Sequence, residues 1–409
     1  MYTNLGERER AQELFTKAYS LRGHASEREK FDIESMYHEI VTGDLESATR
    51  VYQEWLVSYP RDSVALGNLA NVYTFKGQYQ PAIELNKQAL PLSPNDVVSY
   101  GNLALVQMSL NQFPDARRTI QDALDHKRDA DTLHITLYTL AFLAGDEQGM
   151  REQGAWFEGK PENMDEFLML QSSLEGYSGH LAKARELTRR AVEAAEHSGN
   201  PEAASFILMA NALREAAFGN LSEARRAALS ALSRPVLGHS AQAAGALALA
   251  WAGDIPRTES LIQELAKRFP QGTVVQSVEL PTIRAQIELV RENPERSIEL
   301  LRTAGPYELT DESLNACLYP VYVRGQAYLA ANQAAAAAAE FQKILDHRGI
   351  VGPCETGALA HLGLARAYAM QGNTAKAKAA YQDFLTLWKD ADPDIPIFIA
   401  AKAEYAKLQ

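Results

Sequence analysis

Residues Gly67–Ala82 read GNLANVYTFKGQYQPA, and Gly101–Ala116 read GNLALVQMSLNQFPDA. The first four letters of the two stretches are identical and stand 34 positions apart (101 − 67). A recurrence at that interval is the mark of a repeated supersecondary unit. The same form returns around Gly43, Gly77, Asn111, Gly145, Gly179, Gly219, Gly253, Glu292, Asn332 and Gly372, so ten units fill the chain. Each reads as helix, turn, helix. The Gly or Asn is where a first helix ends in a left-handed residue, and the Asp, Asn or Gln after it caps a second helix. Apolar residues keep a helical period on both sides, as in Leu69, Val72 and Tyr73 before one turn and Ala82, Ile83, Leu85 and Ala89 after it. Ala70, Ala82, Ala104, Ala116 and Ala224 fall where two helices cross too closely for a larger side chain. Pro60, Pro94 and Pro270 close second helices, since proline has no amide to continue them. Strand signals are nearly absent.

Composition narrows the function classes. The 409 residues are 46% hydrophobic and 22% charged, enough to bury a large core. The net charge of −12 and pI near 5.3 argue against nucleic acid or an anionic membrane surface as partner, because such binding rests on Lys and Arg neutralising phosphates. The opening MYTNLGERERAQELF lacks the apolar centre of a signal peptide, and AQAAGALALAWAGD (Ala241–Asp254) falls short of the roughly 18 residues that span a bilayer. A cytoplasmic chain with no membrane insertion is therefore expected. Cys317 and Cys354 are either two small buried apolar residues or a bridge between neighbouring helices. Neither they nor the nine histidines have zinc-ligand spacing. No phosphate loop and no nucleophile elbow occurs, so neither a cofactor nor catalysis is expected.

Leu69-Ala70-x-x-Tyr73, Gly77, Ala82, Ala89 and Pro94 resemble the tetratricopeptide repeat. The resemblance implies an all-α fold, an α-solenoid wound as a right-handed superhelix of about ten hairpins whose first helices line a concave side. Met150, Thr258 and Ser297, in place of the small Ala, and units of 40 residues depart from the pattern. The array is expected over residues 26–392, between an N-terminal capping helix in 1–25 and a C-terminal one in 393–409 that turns Ile395, Ile397, Phe398, Ala401 and Tyr405 inward. Ser26–Val64 and Leu362–Pro396 are also similar to the C-terminal repeat region of acidobacterial serine/threonine kinases. A kinase-type Gly-rich loop, His-Arg-Asp and Asp-Phe-Gly are missing from the sequence, so that likeness implies a regulatory or docking module and not phosphoryl transfer.

Function has to lie in residues the architecture does not need. Asn68 and Asn102 occupy one repeat position, with Asn71 beside them, and each side chain offers a donor and an acceptor to a peptide backbone. The alternative is a bond to a neighbouring helix. In chaperone-binding repeats an Asn at this position belongs to a carboxylate clamp with Lys and Arg, but Gly67, Asn71, Gly101 and Leu105 flank it here. Arg284 and Arg324, 40 apart, stand where earlier units have Leu. Each is either ion-paired to a Glu of an adjacent helix or part of an anion or partner site. Trp55, Trp156, Trp251 and Trp388 read as core filling. The leading reading is a non-catalytic scaffold that binds a protein or peptide segment, in the setting of a bacterial signalling kinase; the alternative is a sensor of a small anionic ligand.

Overall fold

The computed structural model describes residues 8–160, 164–234, 238–310 and 317–408; residues 1–7 and 409 of the expected caps lie outside them. Among the described residues every regular element is helical. The chain divides into two compact units, the first made of Met1–Gly159 with Lys267–Ser277 and Leu309–Glu312, the second of Lys160–Ala266, Val278–Glu308 and Ser313–Gln409.

The first unit starts with α1 (Arg8–Leu21) and continues as four hairpins. These are α2 (Glu27–Met36, prolonged by a π-helical stretch, Tyr37–Thr42) with α3 (Leu45–Ser58), and α4 (Ser63–Phe75) with α5 (Tyr79–Ala89). They are followed by α6 (Val97–Ser109) with α7 (Phe113–Asp125), and α8 (Asp131–Ala144) with α9 (Glu147–Phe157). After this unit come α10 (Met164–Tyr177) with α11 (Leu181–His197), α12 (Pro201–Ala217) with α13 (Leu221–Leu232), and α14 (His239–Trp251) with α15 (Ile255–Arg268). Next are α16 (Leu280–Val290) with α17 (Pro294–Leu300) and α18 (Tyr319–Ala330) with α19 (Ala334–Asp346). The short α20 (Arg348–Val351) leads to α21 (Glu355–Met370), α22 (Thr374–Leu387) and α23 (Pro396–Ala406). Within each unit the hairpins stack as an α-solenoid, the second helix of one packing on the first helix of the next in most pairs, while α16 packs on the first helix α14.

All ten expected turn residues are left-handed, with φ from 57° to 89°. At nine of them the following N–H reaches back across the turn to a helix carbonyl: Gln78 to Tyr73, Gln112 to Gln107, Asp146 to Ala141 and so on to Asn373 to Tyr368, at 2.8–3.0 Å. This bond satisfies a carbonyl that the helix end would otherwise leave without a donor. After Gly43 the Asp44 N–H goes to Thr42 Oγ1 instead, at 3.2 Å. Second helices begin with a small residue against the first: Ala48, Ala82, Ala116, Ala184, Ala224, Ala337 and Ala377 are fully buried, as are the substitutes Thr258 and Ser297. The 40-residue spacing has more than one source. Between Gly179 and Gly219 the extra residues lengthen α11 and α12 to 17 residues each, and between Asn332 and Gly372 they form α20.

In each unit the chain also returns to its own hairpin turns over distances that no repeat predicts. In the first, the Thr273 N–H donates to the Gly43 carbonyl (2.9 Å), the Leu45 N–H donates to Thr273 Oγ1 (3.1 Å), and the Tyr79 hydroxyl donates to the Leu309 carbonyl (2.6 Å). In the second, α21 packs on α10 and α12, and the segment after α22 crosses the turns that follow those two helices. α23 buries Phe398 and Ala401 and brings Glu404 to the Arg366 guanidinium (2.9 Å to each oxygen) and the Tyr381 hydroxyl (2.8 Å). Ile395 is buried just ahead of it, and Ile397 and Tyr405 are half-buried. Cys317 and Cys354 form a disulfide, with Cα atoms 5.4 Å apart, so of the two readings of this pair the bridge is the one realised. Among the described residues no helix is long and apolar enough to cross a membrane.

Two stability outcomes follow. Gly145→Ala meets nothing within 4 Å and should cost only the left-handed strain, roughly 1–2 kcal/mol. At Gly179 a Cβ would lie 2.5 Å from Ala391 Cβ and 2.9 Å from Trp388 Cδ2, so Gly179→Ala should cost roughly 1–3 kcal/mol more in urea denaturation. Equal losses would show that the returning segment is not packed there. Cys317→Ser opens a loop closed over 37 residues and should remove about 3–4 kcal/mol, with a matching fall in melting temperature when the wild type is reduced.

Candidate partner-docking face

The face of α4 turned away from its packing partners is set by helical period. Val64, Asn68, Asn71 and Phe75 follow at i, i+4, i+7 and i+11, while Ala65, Leu66, Leu69, Ala70 and Val72 are buried on the other side. One repeat later the corresponding residues of α6 are Val98, Asn102, Leu105 and Ser109, with Leu103, Ala104 and Val106 buried behind them. Val64 is 44%, Val98 49% and Leu105 38% exposed, large fractions for apolar side chains in a helical stack. The three Asn side chains are half-buried. Asn68 Nδ2 lies 3.9 Å from Met36 Sδ, a weak acceptor, and among the described residues the Asn71 and Asn102 amides have no hydrogen-bond partner. Half-buried amides without partners beside exposed valine and leucine can take up the backbone of an extended segment while the apolar residues receive its side chains.

This face carries little charge. The buried Lys76 side chain, at the end of α4, is turned away to pair with the exposed Glu46 at 2.9 Å. No cation is therefore contributed by α4 to a carboxylate clamp.

Asn68, Asn71 and Asn102 lie together on two successive helices of the first unit, whereas Arg284 and Arg324 lie on α16 and α18 of the second. Arg284 is exposed. Arg324 is only 7% exposed, and its Nη2 meets Glu308 at 2.7 Å and Glu340 at 2.5 Å, with Lys343 on the other Glu308 oxygen at 2.8 Å. Burial would raise the Glu308 carboxyl, but Arg324 and Lys343 outweigh it and hold the group below the usual carboxylate range. The sequence reading had no signal for Glu308, which comes from the irregular segment after α17.

The inner side of the second unit is filled by the chain itself. Arg214, 4% exposed on α12, donates to the Ser172 carbonyl and hydroxyl, the Thr188 hydroxyl and Asn211 Oδ1, all at 2.9–3.0 Å. Burial pushes its guanidinium below the ordinary value, partly offset by Glu355 and Glu215. Glu355 accepts the Tyr319 hydroxyl, and Glu215 is clamped by Arg185 at 2.6 and 2.8 Å. Of the tryptophans, Trp55 and Trp388 are fully buried, while Trp156 is half-buried and stacks on His134 at 4.0 Å. Trp251 is half-buried and makes a T-shaped pair with Tyr319, ring centroids 5.8 Å apart. Among the described residues no group of three His, Cys, Asp or Glu side chains is placed to hold a metal.

Residues 65–98 and 322–394 match tetratricopeptide repeat family models. No curated protein matches the sequence. Among solved structures, the chain is similar over its whole length to yeast Tom70, at 12% identity, covering 96% of that chain with a TM-score of 0.40. It is also similar to a chain of the APC/C hetero-tetramer Cut9–Hcn1, at 13% identity over the whole of this chain and 74% of that one, with a TM-score of 0.49. The third is the P58(IPK) TPR domain, at 12% identity over 94% of this chain and 98% of that one, with a TM-score of 0.28.

The two arginines separate in a stability measurement. Arg324→Ala leaves Glu308 and Glu340 buried without their cation and should cost about 3–5 kcal/mol, whereas Arg284→Ala should stay within about 0.5 kcal/mol. Because the Glu308 carboxyl is held below its unfolded value, its contribution is present at neutral pH and lost as pH falls through the acid range. A cost for Arg324→Ala unchanged from pH 7 to pH 3 would contradict this pairing.

Proposed function

We propose that the chain is a non-catalytic docking scaffold whose exposed α4–α6 face binds an extended, largely uncharged peptide segment of a partner protein. The observation that carries this reading is the recurrence, one repeat apart, of half-buried Asn beside exposed apolar residues: Val64, Asn68 and Asn71, then Val98, Asn102 and Leu105. Tetratricopeptide repeats at 65–98 and 322–394 support a role in protein interaction, and the first of these segments contains Asn68, Asn71 and Val98 of the face. The anionic-ligand alternative loses force because Arg324 already faces two carboxylates, leaving only Arg284 of that pair exposed. The finer setting, docking in the service of a bacterial signalling kinase, rests on the likeness of Ser26–Val64 and Leu362–Pro396 to kinase-linked repeats.

The test is selection of a displayed random peptide library on the intact chain, followed by titration of the selected peptides. Asn68→Ala with Asn102→Ala should weaken binding by about 1–3 kcal/mol, because the peptide's buried amides lose their mates, while the melting temperature hardly moves. A fall in stability with peptide binding untouched would assign these residues to the scaffold.

A further inference from the structure

The second unit holds a distant segment of its own chain against two of its hairpin turns. Residues 388–397 cross the turns after α10 and α12, held by polar bonds and a buried ring. The Trp388 indole N–H donates to the Tyr177 carbonyl (2.9 Å), and the ring packs against Gly179 and meets Phe218 edge-on at 4.9 Å. The Asp392 N–H donates to the Gly179 carbonyl (3.0 Å), and Asp392 Oδ2 accepts the Ala182 N–H (2.7 Å) in the first turn of α11. Pro396 rests on Gly219, and the Ile397 N–H donates to the Phe218 carbonyl (3.1 Å). His180, which precedes α11, makes no capping bond and pairs with Glu175 instead (2.7 Å), so an outside carboxylate caps the helix.

Two further observations separate these contacts from what the hairpin itself requires. The same pair of bonds recurs in the first unit, where the Thr273 N–H meets the Gly43 carbonyl and Thr273 Oγ1 accepts the Leu45 N–H. The turns at Gly145, Gly253 and Gly372 have the same left-handed residue and the same backward bond, yet nothing would touch a Cβ placed on those glycines within 4 Å. The hairpin therefore forms without an occupant and presents a preformed pair of groups, a turn carbonyl and a helix-start N–H, to whatever segment can use both.

We propose that the edge made by residues 177–182 and 217–219 is a docking site for a partner segment of the pattern Trp-x3-Asp-x3-Pro-Ile, kept closed by the chain's own Trp388, Asp392, Pro396 and Ile397. The tryptophan fills the space beside Gly179, the aspartate caps α11, and proline followed by an apolar residue settles on Gly219. A partner bearing this pattern competes with the resident segment, which makes docking conditional on its release.

The probe is a labelled synthetic peptide with the sequence of residues 387–399, titrated into the full chain. The wild type should bind it weakly, and the Trp388→Ala, Asp392→Ala double variant at least about tenfold more tightly, since its own segment no longer fills the edge. Adding Ala182→Pro, which removes the N–H that Asp392 uses at a position where a first helical turn tolerates proline, should cut that binding by about five- to tenfold, the size of one capping contact. A double variant that keeps wild-type helicity and binds the peptide no better than wild type overturns the proposal. If that variant does not fold, hydrogen exchange of the wild type decides. The Asp392 and Ile397 amides should exchange by local opening well before the amides of α21, and exchange in step with α21 overturns it. A concentration-dependent dimer that disappears on adding the peptide would identify a second copy of the chain as one source of the segment and would support the site.

Discussion

A helix that stops leaves its last carbonyls without donors, and a long array of short helices meets that deficit at every end. At nine of the ten hairpin turns the solution is a single left-handed residue that turns the chain and lets the following N–H bond back to the helix it has just left. Everything above this level depends on that bond. It sets where the second helix starts and brings a fully buried Ala such as Ala82 or Ala224 against the first helix. The resulting close crossing leaves one face of each first helix to be covered by the next hairpin, by a partner, or by a distant part of the chain.

Local chemistry of this kind is why so much of the fold was legible in the sequence. Glycine or asparagine at the turn, alanine five residues later and a 3.6-residue apolar period each act over one hairpin, and all ten turns fell where they were expected. Even Glu292, a poor residue for a left-handed conformation, was placed by its register. The contacts of Thr273, Leu309, Trp388 and Asp392 were not legible, because a single residue meeting a turn about 210–230 positions away leaves no periodic trace. Arg324 stood out as off-pattern, but its partner Glu308 sits in an irregular segment whose position only the fold fixes. Of the α4–α6 face, the asparagines were read by register, whereas the exposed valines and leucine looked like ordinary members of an apolar helix.

The two units use their first helices differently. Around α4 and α6 the outward residues are uncharged and partly unsatisfied. Around α10 and α12 the chain's own α21 and Arg214, whose two terminal nitrogens donate to Ser172, Thr188 and Asn211, occupy the comparable side. Burying a guanidinium that densely is tolerated only when its donors find acceptors, so the arrangement favours permanent closure over exchange. The edge crossed by residues 388–397 lies between these extremes, since it is formed mostly by backbone groups that exist with or without an occupant.

That crossing has a consequence for how the chain is made. Hairpins need only neighbours and can form as they emerge from the ribosome, but the turns at Gly179 and Gly219 wait for residues made much later. The 169 residues from Gly219 to Trp388 (388 − 219) take on the order of ten to thirty seconds to synthesise at ordinary elongation rates. For that interval the N-terminal end of α11 is uncapped and the space beside Gly179 is empty, so the newborn chain passes through a stage in which other proteins can reach an edge that the finished molecule keeps to itself.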